Sequence, residues 1–262
     1  MLRFATAAIC LAGLALPASA AEFSASFGWE DGSSTIFGVF PPGSVTSANV
    51  SSGSELDYGP SGSPFPTPQS YSPSPIEGSR MLQVTESDVS GDNPRPVLAW
   101  VDGLVAGDTV SYSFKYFDPS DGRSPSALPD AVYTNTDANS FAGFATPFQD
   151  FDDFPGSGWL ELQADFDGDT PGIQPVLTFD PGTDRTGVAL RSQLFAPSLS
   201  EGVDGNDYKF FLDDIQVTVN SSSPDARIVF ADGSEVLVPE PASLTLLAAG
   251  GLLTLARRRR SA

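Results

Sequence analysis

Carboxylates are the side chains most able to carry chemistry in this sequence. The 262 residues include 33 Asp and Glu, 13 Lys and Arg, and no histidine. Without histidine, Ser-His-Asp and Cys-His nucleophilic machinery is excluded, and zinc loses its usual ligand. The lone cysteine, Cys10, cannot form a disulfide within the chain. An enzyme built on this sequence would depend on carboxylates, lysine, tyrosine or a bound metal ion.

Three segments bring acids close together. Residues 165–169 alternate acids as a calcium loop does, but Thr170 and Val176 replace the glycine and glutamate that an EF-hand needs. We interpret that segment as an exposed turn. Residues 148–154 interleave Phe with Asp, which fits either a sugar-facing loop or a loop that buries its rings. Asp213 and Asp214 adjoin in a strand pattern, so one is expected to be buried and the other to lie in water.

The elements that position these acids are predicted to be β-strands. Apolar and polar residues alternate over Val110 to Tyr116 and Ile215 to Val219, and Gly, Pro and Asp separate such segments. Further segments with a strand pattern are residues 23–27, 81–85, 159–164 and 176–179. Many short strands with one wet face predict an all-β fold, an antiparallel β-sandwich or barrel.

The amino-terminal end has the pattern of a secretion signal. Arg3 precedes an apolar segment from Phe4 to Leu16, which ends at Pro17 and a small-residue triplet, Ala18 to Ala20. The segment is too short to span a bilayer but suits a signal helix. We therefore predict a signal peptide over residues 1–20 that signal peptidase cleaves after Ala20.

The carboxy-terminal end has the pattern of a membrane segment. Pro239, Glu240 and Pro241 precede an uncharged, leucine-rich segment at residues 242–256. Four arginines follow it: Arg257, Arg258, Arg259 and Arg260. The segment predicts a single transmembrane helix, short for a bilayer, which the arginines hold on the cytoplasmic side.

The motif, the apolar segment and the arginine cluster, in this order over residues 238–262, resemble the PEP-CTERM sorting signal of Gram-negative bacteria. The resemblance implies that an exosortase, a membrane-embedded transpeptidase, reads Pro239, Glu240 and Pro241 and processes the chain at or near them. It also implies export across the inner membrane, transient anchoring, and a final place at the cell surface or outside the cell. Such proteins are linked to extracellular polysaccharide and biofilm. A tail anchor that is never cleaved is the alternative.

The exported part is strongly acidic. Five of the 13 Lys and Arg lie in the two terminal segments, which leaves eight beside nearly all the acids. Such a charge repels nucleic acids and anionic membranes and attracts cations, so it argues against nucleic-acid binding. The length favours one domain. We predict a β-sandwich over residues 21–220 and a linker or edge hairpin over residues 221–237.

Several segments of this part resemble galactose-binding-like jelly rolls, the fold of many carbohydrate-binding modules. Residues 210–219, Phe-Phe-Leu-Asp-Asp-Ile-Gln-Val-Thr-Val, are similar to the closing strand of that fold. Residues 27–32 are similar to its opening strand, residues 78–84 to the next one, and residues 101–110 to a following loop and strand. The resemblance implies a jelly-roll sandwich between residues 22 and 220.

Domains of this kind often hold a structural calcium ion between the opening and closing strands. By that resemblance, Glu30 and Asp214 would supply carboxylates and Ser79 and Arg80 backbone carbonyls to one calcium ion, which takes six to eight oxygens. A carboxylate buried there needs a cation or an arginine. The alternatives are that both acids of the Asp pair lie in water at a strand edge, or that one pairs with Arg80.

These observations favour a non-enzymatic surface or matrix protein that binds glycans. The sequence assigns no residue to catalysis or to glycan contact. One alternative is an exported glycoside-active enzyme that uses two carboxylates as acid and as nucleophile or base. The other is a structural matrix protein without a ligand.

Overall fold

Short alternating segments form strands throughout the body of the chain. The computed structural model describes residues 20–53, 55–57, 69–86, 94–118, 127–145, 158–164, 176–194 and 209–238. Its sixteen strands are β1 (Ala21–Phe27), β2 (Val39–Phe40), β3 (Val45–Val50), β4 (Glu55–Asp57), β5 (Gln69–Tyr71), β6 (Met81–Glu86), β7 (Arg95–Asp102), β8 (Thr109–Asp118), β9 (Ala127–Thr134), β10 (Phe141–Phe144), β11 (Gly158–Gln163), β12 (Leu177–Thr178), β13 (Gly187–Leu194), β14 (Lys209–Ser221), β15 (Arg227–Phe230) and β16 (Glu235–Leu237).

The strands form two seven-stranded antiparallel sheets. The first has the order β11-β8-β14-β6-β3, and β1 and β12 pair with β14 and β8. The second has the order β10-β9-β13-β7-β15-β16, and β2 pairs with β7. Strands β4 and β5 form a separate two-stranded sheet. The predicted all-β antiparallel sandwich is therefore confirmed over the described residues.

The predicted terminal segments lie outside the described residues. These are the signal helix, the transmembrane helix at residues 242–256, the motif Pro239 to Pro241 and the arginines Arg257 to Arg260. In the part of the chain that the structure describes, no helix is long and apolar enough to cross a membrane.

The core lies between the two large sheets. Strand β8 buries every second side chain, Val110, Tyr112, Phe114 and Tyr116, as its alternating sequence predicts. Leucines and valines of β7 and β13 from the second sheet pack into the same cluster. The Tyr112 hydroxyl lies 2.7 Å from the backbone oxygen of Asp130 and 3.0 Å from that of Arg191, and it donates across the core to them. This contact ties β8 to the backbone of β9 and β13.

The acid pair lies in the middle of β14, where its partner strand changes. The first part of β14 pairs with β6 and the second part with β1. Between them the pairing with β8 is irregular from Asp213 to Gln216, and Asp214 has a φ of 45°. Such an irregularity interrupts the alternation of side chains. Asp213 and Asp214 are 0% and 6% exposed, so the expectation that one of them lies in water is wrong.

The second sheet continues beyond residue 220 through β15 and β16. Strand β15 pairs with β7 on one side and with β16 on the other. Phe230 of β15 stacks on Phe27 of β1 with ring centroids 5.2 Å apart. After β16, the amide of Val238 donates to the carbonyl of Ala226 at 3.2 Å. The segment described at sequence level as a linker or edge hairpin is thus a hairpin within the second sheet.

Candidate functional site

A cleft of about 770 Å³ opens on the second sheet. It lies on the face that points away from the core, where Val97 and Val132 belong to a small apolar cluster of their own. Its lining residues are Gly38, Val39, Phe40, Pro42, Gly43, Arg95, Val97, Val132, Ala138, Asn139, Phe141, Phe144 and Arg191. A concave, mostly apolar surface with a few polar groups is typical of ligand-binding sites.

Two exposed phenylalanines, Phe141 and Phe144, form one wall of the cleft. Side chains three residues apart in a regular strand point to opposite faces. Here the pairing of β10 with β9 is irregular between the two residues, and Gly143 has a φ of 124°. The Nε of Arg185 fixes this bulge by donating to the Ala142 carbonyl at 3.1 Å. The two rings therefore lie together, with centroids 5.0 Å apart, and they are 57% and 69% exposed.

Another wall is the segment around β2, which carries a third exposed ring, Phe40. The side-chain amide of Asn139 donates to the Phe37 carbonyl at 2.9 Å and joins this segment to the turn before β10. Gly38 permits this approach, because a Cβ there would lie 2.2 Å from the Oδ1 of Asn139. The amide of Val97 in β7 donates to the Gly38 carbonyl at 2.9 Å. The segment is therefore held from two sides.

Two arginines line the cleft and share one carboxylate. Arg191 of β13 is the register partner of Asp130 in β9, and the two residues are 6% and 4% exposed. The Nη2 of Arg191 lies 2.5 Å from the Oδ2 of Asp130, and the Nε of Arg95 lies 3.4 Å from the same oxygen. Burial raises the pKa of Asp130, while the charges of Arg191 and then Arg95 oppose that rise. Burial lowers the pKa of Arg191, and the Asp130 charge opposes that change.

Three of the four predicted calcium ligands, Glu30, Ser79 and Arg80, lie close together. The backbone N–H groups of Ser79 and Arg80 point at the carboxylate of Glu30. Glu30 accepts hydrogen bonds from the backbone amide of Ser79 at 2.9 Å and from that of Arg80 at 2.8 Å. These two amides lower the pKa of Glu30, that of Ser79 most. The prediction needed carbonyl oxygens from these residues, because calcium binds oxygen and an N–H group repels it. The structure therefore describes Glu30 as a carboxylate bound by two backbone amides.

The fourth predicted ligand, Asp214, accepts a hydrogen bond from the side-chain amide of Gln216 at 2.9 Å. Its neighbour Asp213 accepts from the backbone amides of Asp214 at 2.9 Å and of Ile76 at 3.0 Å. Burial raises the pKa of Asp213 to about 6, and these hydrogen bonds oppose the rise. Within the described ranges, no group of three or more His, Cys, Asp or Glu is placed to hold a metal ion. Calcium binding stays a prediction.

Sequence reasoning missed the cleft. The segment from Phe141 to Phe144 shows no alternation, because the bulge at Gly143 places both rings on one side. The one available signal was a glycine between two aromatic residues, which favours a bulge in a strand. The acidic segments that the sequence did single out, residues 148–154 and 165–169, lie outside the described residues.

The last strand leads directly into a segment that comparison with protein families recognises. Residues 237–260 match the PEP-CTERM protein-sorting motif. The match confirms the sorting signal predicted from Pro239, Glu240, Pro241 and the terminal arginines. A PEP-CTERM motif indicates an exported, surface-directed protein and implies processing by an exosortase-type enzyme. No curated protein matches the chain.

Solved structures that are similar to this chain include carbohydrate-binding modules. The CBM22-1 xylan-binding domain of Paenibacillus barcinonensis Xyn10C is 14% identical, with 75% of this chain and 94% of that domain covered and a TM-score of 0.37. The CBM22-2 domain of the same protein is 15% identical, with 74% and 98% covered and a TM-score of 0.34. The K2 cleaved adhesin domain of Lys-gingipain is 16% identical, with 74% and 99% covered and a TM-score of 0.31. The likeness is one of fold.

Proposed function

We propose that this protein is exported, processed at its sorting motif, and placed at the cell surface or outside the cell, where it binds polysaccharide without reacting with it. Signal peptidase would cut after Ala20. Residues 242–256 would then hold the chain in the inner membrane until an exosortase-type enzyme acts at or near Pro239 to Pro241. The polymer it would meet there is extracellular polysaccharide, such as that of a biofilm.

The cleft carries the binding part of this proposal. It presents three phenylalanine rings to solvent, Phe40, Phe141 and Phe144, and each is more than half exposed. Clustered exposed apolar side chains are informative, because they contribute little to folding and often mark interaction sites. Aromatic faces stack on pyranose rings, and Asn139 and the two arginines supply polar groups beside them. This combination suits a sugar, which has an apolar ring face and hydroxyls at its edge.

A glycoside-active enzyme is the alternative, and it needs two carboxylates on either side of the scissile bond, about 5 to 10 Å apart. No acid is among the residues that line the cleft in the described structure. The acid next to it, Asp130, is engaged by Arg191 and Arg95. This arrangement supports binding rather than hydrolysis.

A glycan array with the full-length chain tests the binding. We expect signals on polysaccharide-derived glycans that the double variant Phe141→Ala/Phe144→Ala loses. Leu237→Ala is the matched control, because Leu237 is an apolar side chain of similar exposure, 61%, that does not line the cleft. Binding that persists in the double variant would place the site elsewhere. Release of reducing sugar from a bound polysaccharide would support the enzyme instead.

Intact-mass measurement of the exported product tests the processing. We expect a species that begins at Ala21 and ends near Pro239 to Pro241. A product that retains Arg257 to Arg260 would show an uncleaved tail anchor and contradict the processing step.

A further inference from the structure

We propose that the cleft recognises an acidic polysaccharide whose sugar units carry carboxylates, that Arg95 binds those carboxylates, and that Arg191 adds its positive charge beside Arg95. This inference rests on the proposed glycan binding at the same cleft and specifies the class of glycan.

The two arginines of the cleft outnumber the acid that they contact among the described residues. Arg95 and Arg191 both contact one oxygen of Asp130, so two positive charges face one negative charge. Other ion pairs within the described residues give each cation at least one acid that it does not share: Lys115 has Glu161, Arg185 has Asp180, and Arg227 has Asp102 and Glu235. Among the described residues, the cleft therefore carries a local surplus of positive charge, in a protein of formal net charge −20.

The guanidinium groups of the cleft have N–H donors that Asp130 does not occupy. A guanidinium has five N–H donors, and a carboxylate accepts two of them side by side. The Nε of Arg191 is buried and has no hydrogen-bond partner among the residues that the structure describes. Buried donors without a partner are uncommon, because an unmet hydrogen bond is unfavourable away from water. A second carboxylate, brought by a ligand, would supply the missing charge, and it would meet the donors of Arg95, because the buried Nε of Arg191 is out of a ligand's reach.

The two arginines differ in their exposure to solvent. The side chain of Arg95 is 26% exposed, whereas that of Arg191 is 7% exposed. Arg95 can therefore contact a ligand directly, and the buried Arg191 adds its positive charge from beneath the cleft surface. The acids elsewhere on the protein repel a polyanion, but salt screens charges separated by more than about 8 to 10 Å. The direct arginine–carboxylate contact is much shorter and is screened less.

Calorimetric titration of the full-length chain with hexagalacturonate and with its neutral methyl ester tests the proposal. We expect a Kd for the acid about tenfold lower or better, since hydrogen bonds to charged groups are the stronger ones. Arg95→Gln should remove that preference, and Arg95→Lys should keep part of it. Lys115→Gln is the matched control, because it removes one positive charge from the other sheet. It should leave the preference unchanged.

The outcomes separate this inference from the proposed function. Equal affinity of the wild-type chain for acid and ester, lost in Phe144→Ala, would overturn the acidic class and leave glycan binding intact. An equal loss of preference in Arg95→Gln and Lys115→Gln would show that overall charge, and not the cleft, sets it. No binding of either oligosaccharide, together with an empty glycan array, would overturn both proposals.

Discussion

Replacement of Asp130 by asparagine should move stability and affinity in opposite directions. Asp130 and Arg191 form a buried pair, at 4% and 6% exposure. Removal of one partner of such a pair costs about 3 to 5 kcal/mol, because the other charge stays buried without compensation. Solvent at the partly exposed Arg95 reduces the cost toward the lower value. For a domain of about 220 residues, each kcal/mol lowers Tm by about 2 to 4 °C, so we expect a fall of roughly 6 to 12 °C.

The same change should strengthen the binding of an acidic glycan. Asp130→Asn removes the negative charge that, among the described residues, opposes Arg95 and Arg191. At about 5 Å from a bound carboxylate, that charge contributes a repulsion of about 0.8 kcal/mol in a water-like dielectric and about 3 kcal/mol at an effective dielectric of 20. The Kd for hexagalacturonate should therefore fall by a factor of about four or more.

Thermal unfolding followed by circular dichroism gives the first quantity, and calorimetric titration well below the variant's Tm gives the second. A variant that loses stability and affinity together would refute the reasoning, because Asp130 would then position the arginines or contact the ligand itself. A variant with unchanged Tm would refute the ion-pair argument.

Three further predictions address other parts of the molecule. Phe144→Ala should leave Tm unchanged. If a sugar covers about 70 Å² of this ring, that burial contributes about 1.7 kcal/mol, so the Kd for the sugar should rise about 15-fold. An unchanged Kd in calorimetric titration would exclude the ring from the site. The pKa of Asp213, about 6 in the folded protein, exceeds its usual 3.8, so this group stabilises the fold at low pH and the benefit is lost as the pH rises from about 4 through 6. Relative to wild type, Asp213→Asn should therefore gain about 2.4 kcal/mol in free energy of unfolding between pH 4 and pH 7, measured with urea; a constant difference would contradict the raised pKa. If the predicted calcium site forms, calcium added to chelator-stripped protein should raise Tm, and Glu30→Gln should abolish that rise; an unchanged Tm with no heat of calcium binding would end this prediction.

Strands with one solvent-exposed face could be predicted from the sequence, whereas strands buried on both faces could not. Strand β8 alternates clearly, because Ser111, Ser113 and Lys115 face outward between buried aromatic residues. Every residue of β9 is buried, so its sequence shows no alternation. Pro129 and Asp130 within it also favour a loop at sequence level. Among the described residues, β10 pairs with β9 near Val132 and Thr134 and not at Pro129, so Pro129 interrupts no hydrogen bond to β10 there.

The candidate site depended on features that have no local pattern. The sorting motif could be recognised because its elements follow one another along the chain. The cleft joins β2, β7, β10 and β13, whose residues are far apart in sequence and meet only through the order of strands in the second sheet. The closing-strand resemblance located the acid pair, but the change of pairing partner at Asp213 and Asp214 set their burial.

The hydrogen bond from Val238 to Ala226 has a consequence for export. The recognised motif begins at residue 237, which is also the last residue of β16. From Val238 to Glu240 the chain can extend by at most about 7 Å. If an exosortase-type enzyme acts at or near Pro239 to Pro241, as proposed, it acts within a few residues of the last strand, β16. The proposed processing step would therefore act on a chain whose residue 238 is still hydrogen-bonded to the second sheet.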